Sequence, residues 1–123
     1  MPDETTTLAD LRLRVAEFIA QRGWEMYHTP KSLSMSVAIE AAELMEQFQW
    51  VGNEASRQAG QAEPTRSAAT DELADVLIYC LALANVLNVD VSQAVLAKLA
   101  RNQQRFPPGQ LPSRRRLLVG DSG

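Results

Sequence analysis

Cysteine and histidine are nearly missing from this chain. Cys80 is the only cysteine in 123 residues, so no disulfide can close within it, which fits a reducing compartment. It lies in an apolar run and reads as a small buried hydrophobe rather than a catalytic thiol, since His28 is the only histidine that could activate it. The single histidine also argues against a di-iron bundle, which needs Glu-x-x-His pairs on two helices. Long hydrophobic runs are lacking too: the longest, "VLIYCLALANVL", is about half a membrane span. Nor is there a basic excess. Twelve Lys and Arg face fifteen Asp and Glu, a net charge of −3, whereas binders of nucleic-acid polymers carry basic faces. The first ten residues, "MPDETTTLAD", are acidic and polar, unlike a signal peptide. A soluble, cytoplasmic protein is expected, with no membrane and no nucleic-acid polymer as partner.

Strand patterning is missing as well, and what remains is helical. Hydrophobic residues make up 46% of the chain and charged residues 22%, enough for one modest core and ordinary for a globular domain. Leu8, Leu11, Val15, Phe18 and Ile19 predict a first helix over about 7–22, stopped by Gly23. After the connector "WEMYHTPKS", a second helix is expected over about 32–51, ending at Gly52. The polar segment 52–66 reads as a surface loop. A third helix, about 67–87, is apolar on nearly every side and should be the central one. "NVD" makes a turn, and Asp90 is a good N-cap for a fourth helix over about 91–104. The fold class is all-α, a four-helix bundle over 1–107, with an extended or disordered tail over 108–123. Four helices from one chain leave the third under-covered, which a homo-oligomer would correct.

Two acid pairs break the amphipathic pattern. In "IEAAELMEQFQW", Leu33, Val37, Leu44, Phe48 and Val51 form one stripe of the second helix. Glu40 sits inside that stripe, with Glu43 on its flank roughly 60° away. "DELADVLIY" repeats the device: Glu72 and Asp75 share a face with Val76, Tyr79 and Leu83. Each pair is spaced i, i+3, so its carboxylates lie one turn apart on one face. If the helices pack on those faces, four carboxylates converge, and their repulsion would raise pKa values unless a divalent cation balances it. An all-oxygen donor set suits Mg²⁺, or Mn²⁺ as a substitute, rather than Zn²⁺. Such Mg²⁺ sites usually engage substrate phosphates. On the fourth helix Lys98, Asn102 and Arg105 form a polar stripe that could take the remaining phosphate oxygens. Trp24, Trp50 and Tyr79 are flat surfaces on which a nucleobase could stack.

The ordered set Trp24-Glu25, His28-x-Pro30, Glu40-x-x-Glu43-Leu44-x-Glu46-x-Phe48-Gln49-Trp50, Glu72-Leu73-Ala74-Asp75-Val76-Leu77-Ile78-Tyr79 and Lys98-x-x-x-Asn102-x-x-Arg105-Phe106-Pro107 resembles the MazG-like all-α nucleoside triphosphate pyrophosphohydrolases, in particular their dCTP pyrophosphatase branch. The resemblance covers about residues 7–107. It implies Mg²⁺-dependent hydrolysis of a (deoxy)nucleoside triphosphate, dCTP or a modified dCTP, to the monophosphate and pyrophosphate. Glu40, Glu43, Glu72 and Asp75 would be the metal ligands and the catalytic acids. Lys98, Asn102 and Arg105 would contact phosphates or sugar, and Trp24, Trp50 and Tyr79 would line the base and sugar pocket. A homodimer or homotetramer is also implied. The vertebrate relatives carry a histidine near the base where this chain has Val15, which separates the base preference from the reaction. Among the four acids, Glu43 is the favoured base toward the attacking water. The rival expectations are the same chemistry on dUTP or a broad dNTP range, and a non-enzymatic helical interaction module whose acids are merely solvated.

Overall fold

The computed structural model describes residues 1–109, and every regular element among them is helical. Helix α1 spans Leu8–Gln21. It opens on a reciprocal capping box in which the Thr7 hydroxyl accepts from the Asp10 N–H at 3.0 Å and the Asp10 carboxylate accepts from the Thr7 N–H at 2.9 Å. Gly23 ends it with φ +66°, a left-handed conformation that costs a residue without Cβ little. A single 3-10 turn, Glu25–Tyr27, then leads to α2, Pro30–Glu46.

Both ends of α2 differ from the expected 32–51. Thr29 caps it by accepting from the Ser32 N–H at 3.2 Å, and Pro30 takes the first helical position, where the missing N–H has no partner to lose. Beyond Glu46 the backbone tightens into i, i+3 bonds, Gln47 N–H to Leu44 O at 3.2 Å and Phe48 N–H to Met45 O at 3.0 Å. Trp50 therefore sits on a turn rather than on the helix. The expected loop 52–66 contains a further helix, α3, Asn53–Ala59. Its sequence "NEASRQA" has no apolar stripe for periodicity to detect, only an exposed Glu54–Arg57 pair at 3.1 Å.

Helix α4, Thr65–Leu87, ends at Asn88, which adopts φ 55° and ψ 41° and donates its N–H to the Ala84 and Asn85 carbonyls. The Asp90 side chain, as expected, caps α5, Val91–Arg105, by accepting from the Gln93 N–H at 2.9 Å. The described chain thus holds five α-helices rather than four. The tail expected over 108–123 lies, from residue 110 onward, outside the described residues.

Packing is organised around α4, which takes α2 along one side and α1 along another. Leu33, 1% exposed, is the best-shielded large side chain and belongs to the α2–α4 contact, with Leu81, Ala82 and Ala84 buried on α4. Two helices cover only part of an all-round apolar helix, so Leu73, Leu77 and Ile78 stay exposed. The same incomplete cover overturns the expectation of a buried Cys80, which is exposed. No single helix among the described residues is long and apolar enough to cross a membrane.

Candidate metal centre and nucleotide cleft

The packing of α2 on α4 brings the two acid pairs together. Glu40, Glu43 and Glu72 each place a carboxylate oxygen within 4.8 Å of the other two, and all three residues are half-buried. Asp75, one turn beyond Glu72, is half-buried beside them, and its charge acts on both Glu40 and Glu72. Glu40 Oε2 and Glu72 Oε2 are shut off from water and have no hydrogen-bond partner. An anionic oxygen in that position is costly unless a cation meets it.

The electrostatics report the same strain. Burial disfavours the Glu40 anion first, and the adjoining carboxylates of Glu43, Asp75 and Glu72 add to it, raising its pKa from 4.5 to about 7. Glu72 is pushed up as well, first by burial and then by Glu43. The single ion pair among the described residues, Arg57–Glu54, lies elsewhere. Three convergent carboxylates, two of them with an orphaned oxygen, make a hard, all-oxygen donor set that fits a divalent cation.

The three candidate aromatic residues differ in how far they are held. Tyr79 follows Asp75 by one turn on α4 and is half-buried. Trp24 is 43% exposed and held from two sides: its ring meets Phe18 edge to face, with centroids 5.7 Å apart, and the Arg22 guanidinium lies 6.0 Å from its ring centroid. Trp50, at the turn after α2, is 89% exposed. On the other side of α4, α1 and α4 leave an apolar groove of about 440 Å³ whose lining includes Val15, Phe18, Leu77 and Ile78.

Lys98, Asn102 and Arg105 are not brought to the acids within one chain. Helix α5 leaves α4 at 102°. With a helical rise of 1.5 Å per residue, that angle puts the Lys98 backbone roughly 20 Å from that of Asp75. Sequence reasoning also missed a hydrogen-bonded pair at this corner, Arg12 and Asn85. Their separation along the chain hides the pairing, although a lone amide in "CLALANVL" is the visible trace of it.

Known proteins resemble this chain in sequence and in fold. Residues 35–110, which contain both acid pairs and all of α5, match the MazG-like family. The chain is 43% identical over 101 residues to dCTP pyrophosphatase 1 of Bos taurus and 45% identical over 102 residues to that of Rattus norvegicus. Each alignment takes in 82% of this chain, but the chain spans only 60% and 59% of those relatives' length. Among solved structures, a pyrophosphatase from Archaeoglobus fulgidus superposes with a TM-score of 0.77 at 34% identity, covering 87% of this chain and 98% of that one.

Proposed function

This chain belongs to the MazG-like family, and on that premise we propose that it is a Mg²⁺-dependent nucleoside triphosphate pyrophosphohydrolase. Its substrate in this reading is dCTP or a modified dCTP, and its products are the monophosphate and pyrophosphate. The observation that carries the reading is the acid cluster across the α2–α4 packing, with two carboxylate oxygens buried and unpartnered. A non-enzymatic helical module gains nothing from such a cluster, because solvated acids would serve it without the repulsion. The likeness to dCTP pyrophosphatases in bovine and rat supports the cytosine substrate. A dUTP or broad dNTP preference remains the second reading, favoured by the apolar Val15 in the α1–α4 groove.

Glu40, Glu43 and Glu72 would hold the ion, with Asp75 completing the set. Mg²⁺, when bound, supplies positive charge against the triphosphate and the departing pyrophosphate. Glu43 takes the proton of a water whose oxygen bonds to the α-phosphorus, in line with the oxygen that bridges to the β-phosphorus. That bridging bond breaks, and its electron pair leaves on pyrophosphate. Trp24 and Trp50 would stack on the base, and Tyr79 would line the sugar.

Phosphate binding by Lys98, Asn102 and Arg105 then calls for assembly as a homodimer or homotetramer. Between Val91 and Arg105, α5 carries Lys98, Arg101 and Arg105 and no acid, while the cluster of Glu40, Glu43 and Glu72 is acidic throughout. Val95, Leu96 and Leu99 are exposed on the same helix. An α5 from a second copy laid across the cleft would close the distance that one chain leaves open. Pyrophosphate release, screened over canonical and modified dNTPs and NTPs with Mg²⁺, tests the reading; release from none of them refutes it.

A further inference from the structure

The corner between α4 and α5 is held from outside by α1. Arg12 Nε donates to Asn85 Oδ1 at 2.9 Å, Arg12 Nη2 donates to the Ala84 carbonyl at 3.3 Å, and Asn85 Nδ2 donates back to the Arg12 carbonyl at 3.1 Å. The Ala84 carbonyl also accepts from the Val89 N–H at 3.0 Å, which closes the turn that Asn88 makes with φ 55°. One buried peptide oxygen thus joins the last turn of α4, the start of the new direction and a guanidinium from α1. That guanidinium sits at the negative end of the α4 dipole. Among the described residues substantial helix packing is confined to α2 on α4 and α1 on α4, so α5 has no large packing surface of its own to hold its direction.

An amide among "LIYCLALANVL" is a poor choice if stability alone matters, since an apolar residue there would need no partner. Its value lies in direction. The rise of 1.5 Å per residue from Val91 makes α5 a lever: a 10° swing moves Lys98 by about 2 Å, Asn102 by about 3 Å and Arg105 by about 4 Å. Hydrogen bonds to a phosphate tolerate roughly 0.5 Å. We propose that Arg12 and Asn85 are positioning residues, a clasp that sets the angle of α5 and so places Lys98, Asn102 and Arg105 against the triphosphate. The proposal rests on the phosphate-binding role given to α5 above, whichever copy's acids that helix serves.

The test combines a distance with kinetics. In a Cys80→Ser background, nitroxide labels at Thr70→Cys on α4 and Gln103→Cys on α5 are read by pulsed electron spin resonance, after dilution with unlabelled protein to isolate the intrachain distance. The intact clasp gives one narrow distance. Asn85→Ala broadens or shifts it, and Asn85→Asp, which keeps an acceptor for Arg12 Nε, restores it. In the unlabelled protein, Asn85→Ala raises KM for the triphosphate about tenfold, with kcat changed less than about threefold, as the loss of aligned binding contacts predicts. Arg12→Lys, which keeps the charge but loses the forked geometry, serves as the second variant and shows the same pattern. An unchanged distance and unchanged KM in both variants, with only a lower melting temperature, overturns the proposal. If the wild type releases no pyrophosphate, the proposed function fails, while the label distance still decides whether the clasp aims α5.

Discussion

Removing one negative charge at Glu40 should change how tightly Mg²⁺ binds at mildly acid pH. With its pKa raised from 4.5 to about 7, Glu40 in the metal-free protein is half protonated at neutral pH, and a cation must displace that proton. For one such group the apparent dissociation constant scales with one plus the ratio of proton concentration to acidity constant. From pH 8 to pH 6 it should therefore rise about tenfold, and by pH 5 about ninetyfold. An ordinary glutamate would change it by only about 3% down to pH 6. Glu72, also pushed upward, steepens the curve. Isothermal titration of the wild type with MgCl₂ at pH 5, 6, 7 and 8 reads the slope directly. In buffers of differing ionisation enthalpy, about half a proton should leave per ion at pH 7 from Glu40 alone. Glu40→Gln should bind more weakly at pH 8 and lose most of the slope. A wild-type affinity that is flat between pH 6 and pH 8 would refute the reasoning, because it would mean that Glu40 is an ordinary carboxylate or is not at the metal.

Other outcomes follow from the same geometry. Glu43→Ala and Asp75→Ala should each abolish pyrophosphate release while circular dichroism still shows a helical protein; wild-type rates in both with added Mg²⁺ would remove these residues from the site. Mixing two inactive variants, Glu72→Ala and Lys98→Ala, should restore about a quarter of wild-type activity if a two-fold dimer exchanges subunits and α5 acts across the interface. Refolding the mixture without any recovery would place α5 with its own chain's acids. Leu33→Ala, at the α2–α4 contact, should cost about 2–5 kcal/mol in urea unfolding, and a loss below 1 kcal/mol would show that this contact does not hold the acid-bearing helices together.

Much of the site was legible because it depends on spacing within single helices. Glu40 stands in an apolar stripe and Glu72–Asp75 repeats the offence, so helical periodicity alone puts both pairs on faces that must pack. The Asp90 cap and the Gly23 stop are local chemistry and were equally readable. What escaped depends on groups distant in sequence or on the lack of a pattern. The α3 helix has no apolar face, so polarity read as a loop. Cys80 looked buried because its neighbours are apolar, yet burial depends on how many helices reach that side of α4. The 102° turn after Leu87 is legible only as a turn, since nothing local in "NVD" specifies its angle.

The two tryptophans proposed to stack on the base differ in how much freedom they have left to lose. Trp24 already packs edge to face on Phe18, which Arg22 in turn covers at 3.7 Å from its ring centroid, so its orientation is constrained before any ligand arrives. Trp50 stands almost wholly in solvent on a turn. A base stacking on both would meet one fixed jaw and one moving jaw, and the ordering entropy of recognition would fall on Trp50. Discrimination between bases would then be exercised at Trp24, whose shape cannot adapt, while Trp50 sets how long a base that has been accepted remains.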